Sequence, residues 1–412
     1  MKKIVSIIIS LILVLSFTAC GSKSKENASA NLLDKDWNYI LEKAKGTAVN
    51  FYGFGGNEAT NRWLDGAFTN KLKEKYNIKF KRVPMDIEDI INKLSGEKQA
   101  ESNDGSIDIV WINGENFYTA KNSKLLFGPF DEKLPNYNKY IDKNAEDMKN
   151  DFGLSTEGYE APFGRAEFVM AYDKSKIKNF PKNHEELFQL IKSNKGKFTY
   201  PAPPDFTGSA FVRNIIYDVV GYEKLKDLDA DKEKIEKTIK PAIDYLKKIK
   251  PYLWKEGETY PSTAAMIENM YSDKQIINTM TYHPNSIVEK INNGQYTKTT
   301  KAYLFDKGNI GNTNFLAIPF NSTNKVGAMV AINEMLSFEM QKSKYDSKIW
   351  GDLPVFDNNK LSDKEKKEIK SINAGDGSIP QSTLQKNRLP ELKAEIIPII
   401  EKIWLENIPG ED

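Results

Sequence analysis

Between residues 48 and 112 the chain switches repeatedly between the two-residue alternation of a strand and the three-to-four spacing of a helix. Segment 48–54, Ala-Val-Asn-Phe-Tyr-Gly-Phe, reads as a strand. Asn57 is placed to cap a helix whose apolar side holds Trp63, Leu64, Ala67 and Phe68. Segment 78–83 alternates as a second strand. A helix through Ile87, Ile90, Ile91 and Leu94 follows, and then a strand over 107–112. Strand, helix, strand, helix, strand is the order of an α/β unit with a largely parallel sheet, because parallel neighbours need a helix-length crossover. In such sheets ligands gather at the carboxyl ends of the strands. Two loops sit there, Gly53-Phe54-Gly55-Gly56-Asn57 and Asn113-Gly114-Glu115-Asn116.

A helix capped by Asp34 precedes this unit. A second region of different character follows Pro162. It holds a strand over 168–172, a helix within 180–194, a short strand over 198–201 and a proline-rich loop leading into a helix over 209–220. Segment 224–254 is strongly charged with helical apolar spacing, and Pro241 predicts a break into two surface helices. A strand over 276–282 and an extended stretch over 302–320 come next. Helices are expected over 327–337 and along the amphipathic run 389–408. No internal repeat is visible.

The first twenty residues, MKKIVSIIISLILVLSFTAC, form a separate object. Lys2 and Lys3 give a cationic head, an apolar run follows, and Thr18 and Ala19 precede the chain's one cysteine. That is the layout of a secretory signal. Cys20 stands where a bacterial lipoprotein signal is cut, with Phe17 in place of the usual Leu. An uncleaved anchor is the competing reading, but the run is about 12 to 14 residues against the roughly 20 that span a bilayer. Cleavage of 1–19 and lipidation of Cys20 would hold the protein on the outer face of the cytoplasmic membrane. Residues 20–32, small and polar, read as a flexible tether. Removing 1–19 leaves 393 of the 412 residues, enough for two lobes, and brings basic and acidic residues to 57 each. Neutrality argues against nucleic acid as a partner.

The residues for covalent or metal chemistry are scarce. The two histidines are His184 and His283. His184 begins a helix with Phe188 where a zinc-protease helix needs its second histidine, and it reads as a solvated helix-start residue. His283, before Pro284 at a strand end, is placed to line a cleft. Gly53-Phe54-Gly55 opens a dinucleotide-like pattern, but Glu58 holds the third glycine position and would repel a pyrophosphate. No Gly-x-Ser-x-Gly elbow or phosphate-binding P-loop occurs. The chain is read as a non-enzyme with no cofactor and no metal. Abundant carboxylates and aromatics keep a secreted glycan-acting hydrolase as the alternative.

The blocks DGSIDIVWINGENF (104–117), LLFGPF (125–130), FTYPAPPDFTG (198–208), GNTNFLAIP (311–319), VGAMVAIN (326–333) and WGDLPV (350–355) lie in order along most of the chain. In these blocks it resembles the YnjB-type solute-binding proteins of bacterial ABC transporters, a family similar in organisation to binding proteins for thiamine, iron and sulfate. The resemblance implies a two-lobed type II periplasmic-binding-protein fold, each lobe a mixed, mostly parallel sheet flanked by helices. It implies 33–164 as the first part of lobe 1, 165–304 as lobe 2, and 305–412 as a return to lobe 1 with the C-terminal helices. It also implies hinge closure over a small polar solute and delivery to a membrane permease by a monomeric receptor.

Within that fold the ligand candidates are loops at strand ends. On the first lobe they are Phe54, Gly55, Gly56 and Asn57, and Asn113, Glu115 and Asn116. On the second they are Asp205, Thr207, Gly208 and Ser209, entering a helix whose free N–H groups suit a polar ligand, together with Tyr282 and Asn285. Phe163, Asn312 and Asn314 fall at crossings between the regions. Tyr52 and Trp111 read as core residues. Glu115 and Asp205 are the carboxylates placed to pair with a cation, while the amide-rich loops suit a sugar or an oxyanion equally well.

Overall fold

The computed structural model of the chain describes residues 32–372, 375 and 377–409. The leader, Cys20 and the tether up to residue 31 lie outside the described residues. Leu32, expected in the tether, packs with Leu33 against the first core.

Strands β1 (Ala48–Gly53), β2 (Lys79–Pro84) and β3 (Ile109–Ile112) form the expected parallel unit, with β1 between the other two. Alternation sends their side chains to two faces. Val49, Phe51 and Ile109 enter one core with Trp63 and Phe68, while Val110 and Ile112 enter another with Ile90, Leu94 and Phe117. Beyond β3 the sheet turns antiparallel. The strands β4 (Leu126–Phe127) and β7 (Glu160–Glu167) both pair with β11 (Asn309–Pro319), which itself lies against β3. Between them β5 (Asn150–Asp151) and β6 (Leu154–Ser155) make a small hairpin.

The second sheet is built from β8 (Val169–Asp173), β9 (Asn278–Thr281) and β10 (Thr300–Tyr303), in the order β10-β8-β9. Both pairings are antiparallel, where a mostly parallel sheet was expected. The two outer strands run against the same face-to-face neighbour, a direction that side-chain alternation does not encode. Around this sheet lies a third core fed by the helices Phe206–Val220, Lys232–Ile249 and Ile397–Asn407. The strand β12 (Arg388–Leu389) pairs in parallel with the start of β11.

Several local expectations change. Pro241 lies inside one unbroken helix, Lys232–Ile249. Its buried stripe of Ile235, Ile239, Ile243, Leu246 and Ile249 runs past the proline, and such burial, about 1.5–3 kcal/mol per side chain, offsets the roughly 3 kcal/mol that an interior proline costs. Segment 198–201 is extended without joining a sheet; the Phe198 carbonyl instead accepts from the Trp254 N–H at 2.8 Å. The start of the run 389–408 belongs to β12 and a short 3-10 turn, and the helix proper is Ile397–Asn407. Ile400, Ile403 and Trp404 of that helix enter the second-lobe core, and the Trp404 indole donates to the Tyr200 hydroxyl at 3.1 Å. The C-terminal helix therefore packs on the second lobe, not on the first, whereas the helix Lys325–Met335 packs on the first as expected.

The lobes are joined by β7 and β11. Every residue of both strands is buried. They pair from Glu160 with Ala317 to Glu167 with Gly311, and the register shifts between Asn314 and Phe315. Arg165 and Glu167 of this ladder are met by charged side chains from outside it, whereas both carboxyl oxygens of buried Glu160 have no hydrogen-bond partner among the described residues. Arg165 Nε donates to Asp147 at 2.9 Å, Arg388 Nη1 donates to the same carboxylate at 3.0 Å, and Arg388 Nε reaches Glu167 at 3.4 Å. Burial works against the charge of Asp147, yet the two guanidinium groups hold its carboxyl below the usual range. Burial pushes Glu167 up to about 8, with Arg388 pulling in the opposite direction.

A carboxyl that protonates more readily folded than unfolded supports the fold fully below its unfolded value near 4.5, and that support is lost as pH rises through the folded value near 8. Urea denaturation of the wild type is expected to show stability falling between pH 5 and pH 8, with Glu167 contributing about 3–4 kcal/mol of the decline. Glu167→Gln should flatten that slope; an identical slope in the variant would remove Glu167 from the effect.

Candidate functional site

A cavity of about 710 Å³ lies between the lobes, within the range of small-molecule sites. Its first-lobe wall comes from the carboxyl ends of three parallel strands, as the topology dictates. Phe54 follows β1, Asp86 and Glu88 follow β2, and Asn113, Glu115 and Asn116 follow β3. The opposite wall comes from the start of the helix Phe206–Val220, the end of β9 with Tyr282 and His283, and the C-terminal helix through Ile397 and Glu401. Asn312 and Asn314 of β11 form the part that spans both lobes.

The amides are held in place. Asn113 Nδ2 donates to the Thr313 carbonyl at 3.0 Å and to Asn314 Oδ1 at 3.1 Å, tying the end of β3 to β11. Asn312 is buried and its Oδ1 has no hydrogen-bond partner. Trp111, expected in the core, does both jobs: its ring meets Phe163 edge-on at 5.5 Å and it also lines the cavity. Tyr52 is half-buried and packs on the first-lobe core, as expected.

A network of buried polar groups stiffens the second-lobe wall. Arg213 makes a two-pronged contact with Glu391, each nitrogen 3.0 Å from its oxygen, and Tyr282 donates to the same carboxylate at 2.5 Å. Arg213 also donates to Ser209, whose hydroxyl donates to Glu401 at 2.5 Å. Burial works against the Arg213 charge, but Glu391 and Tyr282 beside it hold its proton above the ordinary arginine range. Burial pushes Glu401 up, Ser209 and Arg213 pull it down, and Glu115 across the gap pushes it up again.

Nine of the candidate residues are thus brought together: Phe54, Asn113, Glu115, Asn116, Thr207, Ser209, Tyr282, Asn312 and Asn314 line the cavity. Seven do not line it. Gly55, Gly56 and Asn57 lie beside it. Asn57 caps the helix Glu58–Trp63 through the Thr60 N–H at 2.9 Å, and a Cβ on Gly56 would collide with the Phe54 ring. Phe163 is 1% exposed, among Trp63, Trp111 and Trp350. Asn285 donates to the Gly351 carbonyl at 2.8 Å. Gly208 admits close approach of the Pro201 carbonyl, so its small size serves packing. Asp205, expected to meet a cation, has both oxygens occupied by backbone N–H groups, of Gly208 at 2.9 Å and of Ala264 at 3.1 Å.

Other lining residues were not singled out from the sequence. Asp86 ends a strand just as Phe54 and Asn113 do, so the strand-end rule would have found it. Phe206 stands inside the block FTYPAPPDFTG, and Arg213 is the lone cation of the helix Phe206–Val220. Glu401 had no local signal. His283 lines the cavity as expected. Among the described residues no group of three or more potential ligands gathers for a metal ion, and no helix is long and apolar enough to cross a membrane.

Comparisons with known proteins bear on the family and the fold. Residues 67–371 match the family of bacterial extracellular solute-binding proteins. The chain is 32% identical to Protein YnjB of Escherichia coli (strain K12) over 338 residues, 82% of this chain and 86% of that protein. It superposes with a TM-score of 0.61 on the spermidine/putrescine substrate-binding protein PotD from Streptococcus pneumoniae, at 14% identity over 87% of this chain and 98% of that one. A ferric binding protein from Campylobacter jejuni gives a TM-score of 0.56 at 18% identity, over 86% of this chain and 99% of that one. At such identities the likeness establishes the two-lobed fold.

The occupied carboxylate of Asp205 makes a direct prediction. Asp205→Ala should cost about 1–2 kcal/mol of stability by removing a helix cap. Urea denaturation checks this, and an unchanged midpoint would show that the two N–H contacts contribute nothing.

Proposed function

The chain belongs to the bacterial extracellular solute-binding proteins, and we propose that it is the receptor of an ABC importer, closing its lobes over a small polar solute and passing it to a membrane permease. The observation that carries this reading is the inter-lobe cavity, lined by strand ends of one lobe and helix starts of the other, with the β7–β11 ladder as its hinge. Few segments cross between the lobes, so a backbone change at a few residues of the crossing lets the lobes close as bodies. The solute is held by amides and aromatic faces and no bond is made or broken. Family membership points away from the glycan-acting hydrolase, which no feature of the cavity favours over binding.

The reading extends to the leader. Cleavage before Cys20 and lipidation of its sulfur would keep a monomeric receptor at the outer face of the cytoplasmic membrane, beside the permease it serves. Two acyl chains or their equivalent give durable anchoring where one does not.

Closure is measurable through Trp111. Addition of the transported solute is expected to change the tryptophan emission and to compact the protein in small-angle scattering. Trp111→Phe should lose most of the emission change while keeping the compaction. At 100 times the dissociation constant the solute should add about 2.7 kcal/mol of stability. A screen of cations, sugars, peptides and oxyanions that moves neither scattering nor melting would sink the receptor reading. In cells, Cys20→Ser should shift the protein from the membrane fraction to the medium; retention at the membrane would refute the lipid anchor.

A further inference from the structure

We propose that the solute is an organic cation bearing N–H donors and a flat aromatic or apolar face, gripped between carboxylates of the two lobes. The assignment rests on the reading of the cavity as the solute site.

Charge is the first argument. The lining carries five carboxylates: Asp86, Glu88 and Glu115 on the first lobe, Glu268 and Glu401 on the second. Arg213 is the one lysine or arginine among the lining residues, and it is 1% exposed with its fork occupied by Glu391. Lys290 sits 2.8 Å from Glu268 and offsets that charge alone. Asp86, Glu88 and Glu115 have no ion pair among the described residues. Asp86 stands at the start of the helix Ile87–Gln99, yet its side chain makes no capping bond, so its carboxylate remains available.

These charges are divided between surfaces that approach one another. Glu115 and Glu401 line opposite walls of the same cavity, one at the start of a first-lobe helix and the other on the C-terminal helix. Like charges converging on closure oppose it, and the opposition grows as water leaves. A cation between them reverses the sign. A neutral solute leaves the repulsion in place and an anion adds to it. The same arrangement therefore attracts the solute and makes closure conditional on its charge.

The cavity wall specifies more than charge. Phe54 and Phe206 are 60% and 49% exposed, one on each lobe, and both line the cavity. Phe206 leans on Tyr282, ring centroids 4.9 Å apart, so it is held as a platform. Exposed rings on two converging walls are matched by a flat face, and ring faces also attract cations. Independently, Asn312 lines the cavity with a buried Oδ1 that lacks a donor. Buried acceptors in native proteins are nearly always satisfied, and an N–H of the solute would satisfy this one.

Three indoles that differ in head-group charge test the assignment: tryptamine, tryptophol and indole-3-propionate, titrated calorimetrically into the wild-type protein. Tryptamine should bind at least about tenfold more tightly than tryptophol, as a charge-assisted contact implies, and indole-3-propionate more weakly still. Glu115→Gln and Glu401→Gln should each weaken tryptamine about tenfold and narrow its lead over tryptophol. Phe206→Ala should weaken both indoles together. Each variant is first checked for an unchanged circular dichroism spectrum. Equal affinity for the three indoles, preference for the acid, or variants that bind tryptamine like the wild type would overturn the cation assignment. Closure over a sugar or oxyanion with tryptamine inert would overturn it too, while leaving the receptor reading intact. Failure of every compound of any charge to bind would count against the receptor reading itself and the assignment with it.

Discussion

The antiparallel ladder between β7 and β11 holds the rest of the molecule in register. Both strands are buried from end to end, so neither has water as an alternative partner for its backbone groups. Each must pair with the other, and that pairing fixes where the two sheets meet. At one end β11 is claimed by β3; at the other β8 leaves β7 to found the second sheet. The register shift at Asn314 and Phe315 falls near the handover. Asn312 and Asn314 thus stand between the lobes because the ladder carries them there.

Charged groups inside the ladder and beneath the cavity wall act in the same way. Arg388 comes to Asp147 and Glu167 from a segment far along the chain, and Glu391 comes to Arg213 in the same way. A buried ion pair gives little net stability, because desolvation consumes most of the Coulombic attraction. Separating its members leaves a bare buried charge, which costs about 3–5 kcal/mol. The networks therefore select one arrangement of distant segments over its competitors. Around the cavity this means the wall is rigid before any solute arrives, which lowers the ordering cost of binding.

Much of the first lobe could be read from apolar spacing, because its strands bury hydrophobic residues in ordinary alternation. The strand ends then pointed to Phe54, Asn113 and Glu115. β7 was not legible: Glu160, Arg165 and Glu167 look solvent-facing, and the partners that accommodate Arg165 and Glu167, Asp147 and Arg388, are supplied from outside the strand. The direction of the second sheet was hidden for the reason that alternation is blind to strand polarity. Glycines and amides misled in a consistent way. Gly208, Asn57, Asn285 and Asp205 are residues of tight turns and helix starts, and here they serve those local needs, close beside the cavity but facing the protein. Arg213 and Glu401 were missed because their roles depend on Glu391 and Ser209, neighbours that chain order does not reveal.

The cavity wall that includes Ala394, Ile397 and Glu401, with Glu391 beneath it, comes from a segment well after both ladder strands in chain order. Without that segment the first-lobe loops and the residues of the β7–β11 ladder are all present, yet Arg213 lacks its counter-ion and one side of the cavity is missing. The second-lobe side of the cavity thus depends on a segment remote in the chain from the strands that join the lobes.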